Sequence, residues 1–247
     1  MSAAHRIADV ITFPARTVGS QTAALAAGAA DRVRAWTADE VDDWGRDNGI
    51  VDRIWALSRL RWDTCVGGAE HVPKRAGALI VVNARRFALA PLFAALAIGA
   101  AVDRPVRFVG RPDVAPFGPL MQRLGALQAI EGELEGALRA GEVVVLGAGH
   151  ELGNHRTGLV DHRLVGAAVA TRVRVLPAAA ISAPTRRSAR VEVGSPARLP
   201  HTRRGPLGEL ELADLVQARI DLLLEELGGA STGTPLDWLP FNPIGDI

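Results

Sequence analysis

The chain has 247 residues, 48% apolar and 22% charged, a globular composition with enough apolar material for a sizeable core, which excludes a disordered protein except at the ends. A formal net charge of +1 supplies no global field toward nucleic acid or an anionic surface, so no nucleic-acid partner is expected. The one cysteine, Cys65, excludes an internal disulfide framework and a cysteine metal cluster, fits a reducing compartment, and is expected to be buried within the strand-like "WDTCV".

Residues 1–61 read as an N-terminal helical element with no secretory signal. Residues 22–36 look helical, and Thr37 to Glu40 forms a capping box before a second stretch that Gly45 and Gly49 interrupt. The spacing of Ile50, Val51, Ile54, Trp55 and Leu57 predicts a further helix, with Trp36, Trp44 and Trp55 packing the element onto the core.

From residue 62 to 200 short apolar strands alternate with helices. "RWDTCVGG", "GALIVVN", "RPVRFVG", "ALQAI", "EVVVLGAG" and "RVRVLPAAAI" read as strands, and "SARVEVG" as an additional or edge strand. "ALAPLFAALAIGAAV", "PFGPLMQRLG", "GELEGALRAG" and "HRLVGAAVAT" read as helices. This succession predicts an α/β fold with a mostly parallel or mixed central sheet flanked by helices. The apolar run Phe87 to Val102 is shorter than the ~20 residues of a transmembrane helix and directly follows a strand, so it reads as a core helix. Residues 201–228 hold a linker and a C-terminal helix with leucines at helical spacing, and residues 229–247 form a tail in which Trp238 and Phe241 could dock.

Ligands of such a sheet gather where strand carboxyl ends meet helix amino ends. Two polar breaks fall there. The first, residues 83–91, offers Asn83 to orient a loop or bind a ligand, and Arg85 and Arg86 to meet a phosphate or to face solvent. The second, residues 146–162, carries His150, Glu151, His155, Asp161 and His162, which could form an acid/base pair or occupy ordinary surface positions. "HELGNH" is not the zinc-protease HExxH, because Asn154 takes the place of the second histidine, and no metal is assigned. GxGxxG, a phosphate-binding GxxxxGK, and a GxSxG nucleophile elbow are all missing, and no cofactor is expected.

Taken with the segments between them, from about Val41 to about Pro200, these breaks resemble the phospholipid/glycerol acyltransferase family, lysophosphatidate acyltransferase-like and of the actinobacterial type. In that family an NHxxxxD motif follows the strand. Its histidine, assisted by the aspartate, is understood to deprotonate a glycerol-type hydroxyl that attacks an acyl thioester of coenzyme A or acyl carrier protein. Here the matching "NARRFAL" puts Ala84 at the histidine position and Leu89 at the aspartate position, and keeps Asn83. "GRPDVAPFGPLMQRLGALQAIE" keeps Arg111, Pro116, Gly118 and Gly125, but puts Glu131 where an arginine would help hold phosphate. The family's FPEG becomes "LGAG", with Ala148 for the glutamate and Gly149 retained.

The resemblance therefore implies an acyltransferase-like pseudoenzyme with Arg111 and Gly149 joining Asn83, Arg85 and Arg86 as ligand-binding candidates. An acyl lipid or fatty acid, or a lipid-metabolic protein, would be its partner, in the cytoplasm or peripherally at the inner face of the membrane. Oligomeric state stays open. The alternative is an acyltransferase with a rebuilt site using His150, His155 and Asp161, for which the acyl thioester is substrate; a third reading is a structural or interaction subunit.

Overall fold

The computed structural model describes residues 41–84, 89–112, 117–148, 159–183, 187–198 and 205–228. They belong to one compact unit beginning at Val41. The predicted helix at residues 22–36, the Thr37 to Glu40 box, Trp36 and the tail with Trp238 and Phe241 lie outside the described residues.

The chain enters through helix α1 (Asn48–Arg61) and strand β1 (Asp63–Gly67). Asp47 sets the start of α1, its Oδ1 accepting from Ile50 N at 3.0 Å, while Gly45 at φ +84° turns the chain just before it. There follow β2 (Ala78–Asn83), α2 (Ala90–Val102), β3 (Val106–Val109), α3 (Phe117–Arg123), β4 (Ala126–Leu127) and α4 (Glu131–Arg139). β5 (Val143–Ala148), α5 (His162–Thr171), β6 (Arg174–Ala183), β7 (Ser188–Val193) and α6 (Pro206–Glu226) complete the unit.

The seven strands form one mixed sheet in the order β1-β7-β6-β2-β5-β3-β4. β6, β2, β5, β3 and β4 are mutually parallel; β7 is antiparallel to β6 and parallel to β1. The α/β architecture with a mixed sheet between helical layers is the predicted one. Two details differ. "SARVEVG", read as an additional or edge strand, is an additional strand in the interior, between β1 and β6, and the edges are β1 and β4. Cys65, expected to be buried, is exposed, because β1 is hydrogen-bonded on one side only and its residues alternate between exposed and partly covered.

Successive residues of β2 feed opposite faces, which is why "ALIVV" is apolar throughout. Ile80 and Val82 join Phe93, Ala94 and Ile98 of α2 and Val51 of α1 on one face. Leu79 and Val81 join Leu134 and Leu138 of α4, Val165 of α5 and Val216 and Ile220 of α6 on the other. Trp55 packs against the first cluster, 6.1 Å from Phe93 between ring centroids, and Trp44 against the second. No helix among the described residues is long and apolar enough to cross a membrane.

Candidate functional site at the strand carboxyl ends

Sheet order brings the two polar breaks side by side. β2 and β5 are neighbours in register, Asn83 opposite Ala148, and Ala84 N donates to Ala148 O at 2.8 Å just past the strand ends. β3, which leads to Arg111, is the next strand beyond β5, and β4, which leads to Glu131, lies beside β3. Asn83 and Ala148 thus end, and Ala84, Arg111 and Glu131 follow, four consecutive strands at their carboxyl ends.

Asn83 is held by the sheet itself. Its Nδ2 donates to Ala180 O at 3.0 Å and its Oδ1 accepts from Ala180 N at 2.6 Å, leaving one N–H and one acceptor lone pair for anything else. The side chain prolongs the β2–β6 ladder past its last backbone pair, Val82 with Ala178.

Leu89 stands immediately before α2 and offers no side-chain oxygen to the first-turn amides; Pro91 pre-sets the first turn. Leu89 packs toward the same face as Phe93, whereas Leu146 is buried in the opposite cluster, so these two leucines do not fill one common space. The close contact at the junction is instead made by Gly147: a Cβ there would stand 2.8 Å from Pro91 Cγ and 2.9 Å from Ala84 Cβ. Nothing in the sequence marked Gly147 beyond its place in "LGAG".

Arg111 is half-buried, and its Nη2 lies 3.2 Å from Glu133 Oε2. Sequence reasoning missed Glu133, because only the adjacency of β3 and β4 brings the first turn of α4 next to Arg111. Glu131 is the exposed first residue of α4, where a carboxylate complements the helix dipole. Gly118 has a structural reason to be glycine, since a Cβ would meet Pro112 O at 2.5 Å.

Asp161 precedes α5, and its Oδ1 accepts from Arg163 N at 2.9 Å as an N-cap. His162 begins the helix. Arg85, Arg86, Gly149, His150 and His155 lie outside the described residues. Among the described residues no group of three or more His, Cys, Asp or Glu is placed to hold a metal ion. At this corner the described side chains therefore supply hydrogen bonds, apolar contact and a paired guanidinium. Ala84, Leu89 and Ala148 bring no group able to accept a proton.

No protein-family model matches the chain, and no curated protein does. Among solved structures, the chain is similar in fold to the 1-acyl-sn-glycerophosphate (LPA) acyltransferase PlsC of Thermotoga maritima, at 18% identity, over 72% of this chain and 80% of that one, with a TM-score of 0.52.

Proposed function

We propose that the protein is a noncatalytic member of the phospholipid/glycerol acyltransferase group that binds an acyl lipid, a fatty acid or a related ligand, and that it regulates or assembles with lipid-metabolic enzymes. The fold likeness to a lipid-acting acyltransferase supports the ligand class. The observation that carries the silent reading is the β2–α2 junction, where Ala84 and Leu89 flank the turn at the positions expected for the histidine and aspartate. Loss of a general base alone removes about 100 to 10,000-fold of rate. Pairing of Arg111 with Glu133 and the carboxylate of Glu131 both lower the attraction of this corner for a phosphate headgroup, which favours recognition through the acyl chain. Each deeply buried methylene of such a chain contributes about 0.8 kcal/mol before ordering costs. The setting that fits is cytoplasmic, with peripheral contact at the inner face of the membrane.

Nondenaturing mass spectrometry of the gently isolated full chain tests this reading, with identification of any released small molecule. A stoichiometric acyl species is expected; a chain that comes out empty and takes up no added fatty acid or lysophospholipid overturns it. The rebuilt-enzyme reading predicts turnover of an acyl-CoA or acyl carrier protein thioester that His150→Ala or His155→Ala abolishes. Asp161→Asn separates roles within that reading: asparagine caps a helix about as well as aspartate but cannot act as a carboxylate base. No turnover in the unaltered chain is the expected result.

A further inference from the structure

At the opposite end of the sheet, a cleft of about 380 Å³ opens between α1, the carboxyl-terminal half of α2 and the turn into β3. Its wall includes Arg46, Asp52, Trp55, Leu96, Asp103 and Arg104. The volume is within the range of roughly 300 to 1,000 Å³ that holds small molecules. Arg46 is the unusual member. Only 9% of it is exposed; one terminal nitrogen, Nη1, donates to Asn48 Oδ1, and Nε has no hydrogen-bond partner among the described residues. Burial, the largest influence on it, lowers the guanidinium pKa from its ordinary value, as for a cation held away from water.

Arg104, by contrast, is fixed by three backbone carbonyls: Pro73 O at 2.7 Å, Ala76 O at 3.1 Å and Gly141 O at 2.8 Å. Asp52 and Asp103 are exposed at the cleft. Two guanidiniums and two carboxylates thus line one opening beside the Trp55 ring and buried Leu96. A simple anion entering here meets two carboxylates, and a simple cation meets two guanidiniums. A molecule carrying both charges beside an apolar side chain meets a complementary group for each of its three parts.

We propose that this cleft binds a small zwitterion with an apolar side chain, chemically an α-amino acid such as leucine: its carboxylate at Arg46, its ammonium toward Asp52 and Asp103, and its side chain against Trp55 and Leu96. Titration calorimetry of the full chain with L-leucine, isocaproate (the same skeleton without the ammonium) and isopentylamine (without the carboxylate) tests the assignment. Leucine should saturate, and each analogue should bind about tenfold more weakly or worse, the ratio for losing one charge-assisted hydrogen bond. Asp52→Asn combined with Asp103→Asn, in a protein whose melting transition matches the unaltered chain, should weaken leucine about tenfold and leave isocaproate unchanged or tighter. Asparagine tolerates the left-handed conformation of Asp103, φ +52°. If the double variant does not fold, Asp52→Asn alone, at an exposed position, carries the same comparison. Failure of leucine to saturate by about 10 mM overturns the proposal. So does equal binding of the three probes, or unchanged leucine affinity in the variant.

Discussion

The Asn83 amide presents to Ala180 the donor and acceptor that one more strand residue would have supplied, so a side chain closes the ladder at the point where the backbone of β2 leaves for α2. Asn83→Ala leaves both Ala180 groups without that partner and should cost about 2 kcal/mol in urea unfolding. Asn83→Asp should be at least as damaging, because a carboxylate keeps the acceptor but turns a second oxygen toward the Ala180 carbonyl. A variant as stable as the parent would show that water replaces the amide without loss. At Asp161 the same logic runs through a helix start: Asp161→Ala should cost about 1 kcal/mol and Asp161→Asn close to nothing, measured by thermal melting.

At the scale of elements, two glycines should respond in opposite directions to the same methyl group. Gly147→Ala drives a Cβ to 2.8 Å from the Pro91 ring and 2.9 Å from Ala84, where neither rigid neighbour can rotate away, and should destabilise by about 1 to 3 kcal/mol. Gly132 lies in the first turn of α4 with open space around its Cβ position, so Gly132→Ala should stabilise by about 0.5 to 1 kcal/mol. Chemical denaturation of both variants checks the pair. Local pattern made the individual elements legible: a five-residue apolar run after Gly77 reads as a doubly covered strand, and the leucine spacing of α6 as a helix against the sheet. Strand order was not legible, since it is decided by contacts between distant segments, and with it went the interior placement of β7, the exposure of Cys65 and the meeting of Arg111 with Glu133. Asn83 was singled out because it follows an apolar run, and Ala84, Leu89 and Ala148 because the family resemblance puts its histidine, aspartate and glutamate at those positions; that Ala84 and Ala148 share a backbone hydrogen bond needed the β2–β5 register.

Across the whole unit, a charged knot ties the segment before α1 to the sheet. Arg107 on β3 is 1% exposed, with Nη2 2.6 Å from Asp42 Oδ2, Nε 3.0 Å from Glu142 Oε2, and its guanidinium 5.8 Å from the Trp44 ring centre. Burial pushes the Asp42 carboxyl up, but hydrogen bonds from the Arg46 amide, the Arg107 guanidinium with its charge, and the Trp44 amide outweigh it and hold the group below its ordinary 3.8. A carboxyl depressed on folding contributes stability that is fully present above its unfolded value and is lost as pH falls through the folded one. Asp42→Asn should therefore destabilise at neutral pH by about 2 kcal/mol, the scale of a hydrogen bond to a charged group. That difference from the parent should shrink once the pH drops below about 4. A gap that stays constant down to the acid transition would mean that the carboxylate charge contributes nothing.

The exposed sulfur on the outermost strand has a consequence for handling the protein. With one thiol in the chain and that thiol on the β1 edge, oxidation in air can join two copies through a single bond and then has no further thiol with which to continue. Covalent growth stops at a pair. A nonreducing gel should show one doubled band and no ladder, and the same atom gives a dye or spin label one attachment point, distant in strand order from the β2–β5 ends.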